Sequence, residues 1–209
     1  MKSTYFTQMD SPLGIISLCG TERGLAGIFM DDHRHGPAEA QRRGWRRVDA
    51  LFAEVRAQLE EYFAGRRMVF SVGIDHETIG GTQFQRRVWE ALEGIPYGVT
   101  ISYGELARRI KQPSAVRAVG LANGRNPLSI IVPCHRVVGS DGKLTGYGGG
   151  IDRKRWLLEL ESCAAPPTAS TPSLFQTDRV ARSTVMIQIA ALRSRLEKQP
   201  TDLRRSSRI

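Results

Sequence analysis

The apolar residues in the first part of the chain occur in short runs that later change to a helical spacing. Two apolar runs, residues 15–18 and 25–29, flank a glycine-rich turn and predict neighbouring strands. The polar stretch 31–47 has no period and predicts an exposed loop. Apolar residues recur at helical spacing over 49–64, and 68–74 predicts another strand. This succession predicts a mixed α/β unit.

Helix-start signals repeat in the second half of the chain, after a linker that ends in two glycines. Thr82 with Gln85, and Ser102 with Glu105, have the spacing of capping boxes, and each pair precedes an apolar helical pattern. Ser114 is expected to cap a third helix. Two short helices joined by a tight turn predict a DNA-binding helix-turn-helix, or an ordinary helical hairpin, which is the more common arrangement.

The third predicted helix, residues 115–123, is unusual because Arg117 is its only charged residue and many of the others are small. A helix that reads bases in the major groove presents several long polar side chains. A smooth helix with one cation fits close approach to a narrow DNA groove. Packing against other helices inside the protein is the competing explanation.

The composition narrows the class of protein. The chain has 209 residues, a net charge of +9 and 41% hydrophobic residues. It can form a packed core, and its basic excess favours a polyanion such as nucleic acid, or serves only solubility. No apolar run approaches the ~18 residues of a membrane span, and we expect no secretory signal. Three cysteines argue against a disulfide framework and fit a reducing cytosol.

The last part of the chain, residues 165–209, differs from the rest. It begins with Pro, Ser and Thr residues and continues as an arginine-rich segment, with eight Lys or Arg against three Asp or Glu. A weak amphipathic helix is one possibility for this segment. We expect instead a disordered basic tail.

Residues suited to chemistry follow the apolar run 130–132, which predicts a buried strand. This run leads directly into Pro133-Cys134-His135-Arg136. A thiolate is the reactive form of cysteine, and a neighbouring imidazole or cation lowers the thiol pKa from about 8.5. The pair therefore predicts a reactive thiolate at Cys134, although a Cys-His pair alone is a weak signal.

The segments around this pair carry a resemblance to a known family. They read Gly120-Leu121-Ala122-Asn123-Gly124-Arg125-Asn126-Pro127, Pro133-Cys134-His135-Arg136-Val137-Val138-Gly139 and Leu144-Thr145-Gly146-Tyr147-Gly148-Gly149-Gly150. In this order and spacing they resemble the O6-alkylguanine-DNA alkyltransferases, clearly over residues 82–162 and less closely over 1–81. The resemblance does not extend to the tail.

The resemblance implies an α/β (α+β) fold in two domains. An N-terminal RNase H-like α/β domain, residues 1–78, would precede a C-terminal winged helix-turn-helix domain, residues 79–164, and the tail 165–209. It also implies a cytoplasmic, nucleoid-associated monomer that binds duplex DNA through the minor groove, needs no membrane and can assemble cooperatively on DNA. The damaged guanine would be flipped into the site, since stacking otherwise hides the reacting atom.

The resemblance assigns a DNA-binding role to six residues. Arg117 corresponds to the finger that takes the place of the flipped base. Tyr103 corresponds to the tyrosine that rotates the 3′ phosphate and donates a hydrogen bond to guanine N3. The other implied DNA contacts are Ala118, Ala122, Asn123 and Gly124.

The implied reaction is an alkyl transfer. Cys134 would attack the alkyl carbon on guanine O6 while His135 takes the thiol proton through a water, Glu161 orients His135, and Asn126 shapes the loop. Tyr103 completes the catalytic set. No ordinary side chain can remove an alkyl group from the resulting thioether. Each molecule would therefore act once, on O6-methylguanine and on O4-methylthymine.

The resemblance also implies a substrate pocket and no cofactor. The pocket residues are Val137, Ser129, Tyr147, Gly148 and Lys154. Ser129 stands where some relatives have proline, which bears on the tolerance for bulky adducts. Cys19, His33, His35 and His76 lack the ligand spacing of a zinc site, so we predict no metal.

Two other functions remain open from the sequence. A non-catalytic DNA-binding module would not need Cys134. A cysteine hydrolase would use Cys134, His135 and Glu161 for repeated turnover on acyl or peptide substrates, but it leaves Arg117 and Tyr103 unexplained.

Overall fold

The computed structural model describes residues 4–164 and Ser194, and in it a small sheet precedes a mainly helical half. The strands are β1 (Tyr5–Ser11), β2 (Gly14–Thr21), β3 (Gly24–Met30), β4 (Arg46–Arg47), β5 (Ile101–Ser102) and β6 (Val137–Val138). The helices are α1 (Glu39–Arg42), α2 (Ala53–Phe63), α3 (His76–Ile79), α4 (Gln83–Glu93), α5 (Tyr103–Arg109), α6 (Val116–Gly124) and α7 (Ile151–Ala164). Apart from Ser194, the predicted disordered tail lies outside the described residues.

The N-terminal sheet has the strand order β3-β2-β1-β4. β1 and β3 each pair with β2 in antiparallel register, and β4 adds a short parallel edge to β1. The predictions of strands at β2 and β3 are confirmed. β1 was not predicted because its buried positions include Thr7, whose hydroxyl donates to Asp49 at 2.6 Å and thereby satisfies a polar group that the pattern places outside.

Two other predictions for the first half are wrong in part. Residues 68–74 form no regular strand, and only Ile74 bridges to Leu25. Phe70 and Val72 pack against the core from an extended segment, so their apolar pattern reflects burial without a strand partner. The stretch 31–47 contains α1 and β4 as well as loop.

Gly24 shows why the chain needs glycine at the turn between β2 and β3. Its φ is +145°, and a Cβ there would lie 2.5 Å from the carbonyl oxygen of Gly73. The neighbouring Leu25 amide donates to that oxygen at 2.8 Å, and the Asp75 amide donates to Leu25 at 2.8 Å. The segment that leads to the second half is therefore fastened to the sheet.

The second half begins with the predicted helices. The capping box of Thr82 and Gln85 is confirmed at the start of α4, and Ser102 caps α5 by accepting from the Glu105 amide. Ser114 does not cap α6, which starts at Val116 without a side-chain cap. α5 and α6 pack on each other and on α4, as a helix-turn-helix requires.

The two halves share one continuous core. The Ile28 amide on β3 donates to the Pro127 carbonyl at 2.8 Å, so the second half continues the edge of the sheet. Arg153 of α7 donates to the Leu13 and Asp31 carbonyls, each at 2.8 Å. These contacts hold the last helix against the first hairpin.

Truncating a buried side chain of α2 should destabilise the protein. Leu59 is fully buried there, so Leu59→Ala should lower the free energy of unfolding by about 2–5 kcal/mol, through lost burial and a cavity. Urea unfolding followed by circular dichroism measures this loss. Val69→Ala is the control, because Val69 is 75% exposed and should change stability by no more than about 0.5 kcal/mol. Equal losses would contradict this packing.

Candidate active site

The turn that presents Cys134 replaces the predicted strand at residues 130–132. Ile130 has a φ of +75°, a conformation that a β-branched residue rarely adopts. The Val132 amide donates to Leu128 at 2.9 Å, and the Cys134 amide donates to Val132 at 2.8 Å. The run is apolar because it is buried, and its tight turns lead into the 3₁₀ segment Cys134–Arg136.

Asn126 holds this turn with all of its polar atoms. Its Nδ2 donates to the Val132 carbonyl at 2.7 Å and to the Cys134 Sγ at 3.1 Å, and its Oδ1 accepts from the Leu128 amide at 3.0 Å. The side chain thus fixes the loop and also contacts the thiol.

The Cys134 thiol is protonated in the resting site. The side chain is 3% exposed, and burial raises its pKa to about 11, against a smaller lowering by the Asn126 hydrogen bond and the Lys154 charge. The expectation of a lowered pKa is therefore wrong, because desolvation outweighs the nearby cation. A reaction at Cys134 needs a group that removes its proton.

Glu161 is the centre of a buried hydrogen-bond cluster. Its Oε1 accepts from the Tyr62 hydroxyl at 2.8 Å, from His135 Nε2 at 2.9 Å and from Arg136 Nη2 at 2.9 Å. Its Oε2 accepts from Arg136 Nε at 2.9 Å and from the Gly98 amide at 3.0 Å. Burial alone would raise the pKa of Glu161, but His135 and Arg136 lower it to about 2.

The charge on Glu161 determines the tautomer of His135. Because an ionised carboxylate can only accept, Nε2 of His135 carries the hydrogen in their 2.9 Å contact, and Nδ1 keeps its lone pair. Burial lowers the pKa of His135, although Glu161 opposes this. His135 is therefore a neutral base, and its Nδ1 has no hydrogen-bond partner among the described residues.

Lys154 and Tyr103 fasten the loop that follows β6. The Lys154 Nζ donates to the Val137 and Thr145 carbonyls, each at 2.6 Å, and lies 5.8 Å from the centre of the Tyr103 ring. The Tyr103 hydroxyl donates to Thr145 at 2.8 Å. Burial lowers the pKa of Lys154 to about 8, and Cys134 opposes this.

The N-terminal half also reaches the predicted pocket. The hydroxyl of the buried Tyr147 lies 3.8 Å from Met30 Sδ, and Ser129 Oγ lies 3.5 Å from His33 Nε2. The amide of Arg34, next to His33, donates to the carbonyl of Gly148 at 3.0 Å. Neither Met30, at the end of β3, nor His33, in the loop after it, belongs to a motif that would have predicted its place at this pocket.

The surface of α6 agrees with the expected DNA contacts only in part. Arg117 and Ala118 are exposed and Gly124 is partly exposed, but Ala122 and Asn123 are buried. The Ala122 carbonyl accepts from the Trp89 indole at 2.9 Å, and Asn123 Nδ2 donates to the Cys134 carbonyl at 3.2 Å. Their assignment as DNA contacts is therefore corrected, because both face the protein interior.

Leu121 is a further exposed residue of α6, and no sequence pattern assigns it a role. It is 68% exposed and lies one helical turn after Arg117.

Two residues of the Glu161 cluster were not predicted to have a role, Arg136 and Tyr62. The available signal for Arg136 was its place in a buried apolar segment, where an arginine requires a carboxylate partner. Tyr62 matched the apolar face of α2, which gave no sign that its hydroxyl had a role.

The described residues give no sign of a metal centre or a membrane span. Within residues 4–164 no three His, Cys, Asp or Glu side chains come together as metal ligands. No helix in the same part of the chain is long and apolar enough to cross a bilayer.

Two family models match the chain in sequence order. The model of the 6-O-methylguanine DNA methyltransferase ribonuclease-like domain matches residues 4–76, and that of the 6-O-methylguanine DNA methyltransferase DNA binding domain matches residues 83–163. The resemblance and the two-domain fold class predicted from the sequence are confirmed.

Similar proteins cover nearly the same part of the chain. The methylated-DNA–protein-cysteine methyltransferase of Mycolicibacterium paratuberculosis is 50% identical over 161 residues, covering 77% of this chain and 94% of that protein. The methyltransferase of the same name from Methanosarcina acetivorans is 49% identical and covers 76% and 99%. The structure of Mycobacterium tuberculosis OGT in complex with DNA has a TM-score of 0.70 at 50% identity, covering 78% and 95%.

The buried cluster makes stability depend on Glu161. Glu161→Gln removes the charge that compensates Arg136 and should lower the free energy of unfolding at pH 7 by about 3–5 kcal/mol. Since the folded-state pKa of Glu161 is lowered to about 2, its contribution is present above the unfolded pKa of about 4.3 and is lost as pH falls towards 2. Urea unfolding at pH 7 and pH 3 should show the gap to the wild type narrowing.

Glu105→Gln is the matched control for this comparison. Glu105 also pairs with two arginines, Arg108 and Arg109, but on the protein surface, where solvent screens the interaction. The Glu105→Gln variant should therefore have nearly the same free energy of unfolding as the wild type. A gap for Glu161→Gln that is small, or constant with pH, would contradict the buried charge.

Proposed function

This chain belongs to the 6-O-methylguanine DNA methyltransferase family, and we propose that it repairs O6-alkylguanine in duplex DNA by accepting the alkyl group on Cys134. The observation that carries the proposal is the buried thiol of Cys134, which is adjacent in sequence to a neutral His135 that Glu161 holds at 2.9 Å. A single nucleophile with its own base is what a direct transfer to protein requires.

The transfer begins with removal of the thiol proton. Nδ1 of His135 accepts this proton through a water, and the charge of Glu161 stabilises the imidazolium that forms. The sulfur attacks the alkyl carbon, so that an S–C bond forms while the C–O6 bond breaks and its electron pair goes to O6. As this charge develops, Tyr103 exchanges its hydrogen bond to the Thr145 carbonyl for one to guanine N3. The proton that His135 took from the thiol then passes to the released base and neutralises it.

The product explains why the protein acts once. A thioether has no proton to lose, and its sulfur would have to leave as a thiolate from an unactivated alkyl carbon. His135, Glu161 and Lys154 serve as a base, a carboxylate and a cation, and attack by any of them on the alkyl carbon would have to expel the Cys134 thiolate. The reaction is therefore stoichiometric and needs no cofactor.

DNA reaches this site along α6. Arg117 is exposed and makes no ion pair among the described residues, so its guanidinium is free to fill the stack when the guanine leaves it. Ala118 permits close approach of the minor groove, and Ser129, Tyr147 and Gly148 form the pocket for the alkyl group. Flipping brings O6 to the buried sulfur. We propose that the repair takes place in the cytoplasm, on nucleoid DNA. We also propose O4-methylthymine as a second substrate.

The direct test is the mass of the protein after reaction. Incubation with a duplex that contains one O6-methylguanine should add a single methyl to each molecule, and peptide mapping should place it on Cys134. Cys134→Ser should bind DNA and gain no mass. Cys19→Ser is the matched control, because Cys19 is also buried and burial raises its pKa to about 12, yet it should react like the wild type.

The same assay separates the competing functions. Continued turnover would indicate a hydrolase, and unmodified protein that still binds damaged DNA would indicate a binding module. Either result would refute the transfer. A duplex with O4-methylthymine, assayed in parallel, decides whether the second substrate is accepted.

Arg117 should matter only when the base has to be flipped. Arg117→Ala should slow methyl transfer from duplex DNA by about tenfold or more, the equivalent of roughly 1.4 kcal/mol. Reaction with free O6-benzylguanine should be almost unchanged, because a free base is not stacked. Single-turnover rates measured with both substrates give the comparison.

Arg66→Ala serves as the control for charge, since Arg66 is exposed but lies outside α6. It should leave both rates close to those of the wild type. An Arg117→Ala variant that loses rate equally on the duplex and on the free base would speak against the finger role.

A further inference from the structure

Tyr62 connects the N-terminal half to the site although it lies far from Cys134 in sequence. It is fully buried on α2, and its hydroxyl donates to Glu161 Oε1 at 2.8 Å. That oxygen also accepts from Nε2 of His135 at 2.9 Å. Two donors from different halves of the protein thus share one carboxylate oxygen.

The hydroxyl of Tyr62 is not needed to fill space. Its ring packs against the rings of Phe63, Phe70 and Tyr97, with centroids 5.4–6.1 Å apart, and a phenylalanine ring would make the same contacts. Burying a hydroxyl is unfavourable unless a partner accepts its hydrogen. The contact with Glu161 is what makes a tyrosine tolerable at this position.

We propose that Tyr62 is a positioning residue for the alkyl transfer, which through Glu161 sets both the orientation and the proton affinity of His135. The proposal rests on the proposed function of Cys134 and His135 and assigns this part of it to the N-terminal half. Domain packing at α2 would then be coupled to the reactivity of the thiol.

The sign of the effect follows from the groups that face Glu161. Arg136 donates to both carboxylate oxygens, the Gly98 amide donates to Oε2, and the positive charge of Lys154 acts on His135 from α7. These groups remain in Tyr62→Phe, so Glu161 stays ionised. With one donor fewer on Oε1, the carboxylate interacts more strongly with Nε2–H, which favours the imidazolium and raises the pKa of His135.

The test compares Tyr62→Phe with the wild type in two ways. The Nε2–H proton resonance of His135 should move downfield at neutral pH, because its hydrogen bond to Oε1 becomes stronger. The acidic limb of the single-turnover rate with O6-benzylguanine should move up by about half a pH unit or more, since the protonated imidazole cannot accept the thiol proton. A residue that serves packing alone would change neither.

Two further proteins complete the design. Tyr5→Phe removes another tyrosine–carboxylate hydrogen bond, from Tyr5 to Glu22 at 3.1 Å on the protein surface, and should change neither readout. Replacing Tyr62 by 3-fluorotyrosine keeps a hydroxyl that is a stronger donor, so both shifts should reverse sign. If Tyr62→Phe does not fold, the fluorotyrosine variant still tests whether the Tyr62 hydroxyl acts on His135 through Glu161.

The outcomes separate this proposal from the one on which it rests. An unmoved Nε2–H resonance together with an unmoved pH limb would overturn the role of Tyr62, while alkyl transfer by the wild type would still stand. If the wild type transfers no alkyl group at all, the proposed function is refuted. The resonance would then report only that Tyr62 tunes His135.

Discussion

The carboxylate of Glu161 carries a negative charge where water has no access, and donors from three other segments hold it there. They are the hydroxyl of Tyr62, the amide of Gly98, and the side chains of His135 and Arg136. A buried charge is tolerated only when charged partners and hydrogen bonds compensate its desolvation. The cluster therefore forms only when the helix of the first half, the turn before β5, the Cys134 turn and α7 are packed together.

Burial shifts the pKa values of the proposed nucleophile and of its proposed base in opposite directions. It raises the pKa of the Cys134 thiol to about 11 and lowers the pKa of the neighbouring His135. The thiol is therefore held in its protonated, less nucleophilic form, while the imidazole is neutral and able to accept a proton. A protein that is consumed by one reaction benefits from a thiol that is protected until a substrate lies next to it.

Binding and chemistry are combined by the position of α6. The outer face of this helix exposes Arg117 and Leu121, and from its inner face Asn123 donates to the carbonyl of Cys134. The proposed DNA finger and the turn that holds the thiol are thus linked through one helix and one hydrogen bond.

Local signals in the sequence determined the helices and pointed to the segment that contains Cys134. The spacing of apolar residues placed α2, α4 and α5, and the Pro-Cys-His-Arg segment marked the proposed nucleophile, because periodicity and motif both depend on neighbours in the chain. The same signals failed at residues 130–132, where burial rather than strand pairing makes the run apolar. Only the tertiary structure decided that Ala122 and Asn123 face inward, that Tyr62 binds Glu161, and that the Cys134 thiol is protonated. Each of these depends on desolvation and on contacts between distant segments, which no local pattern records.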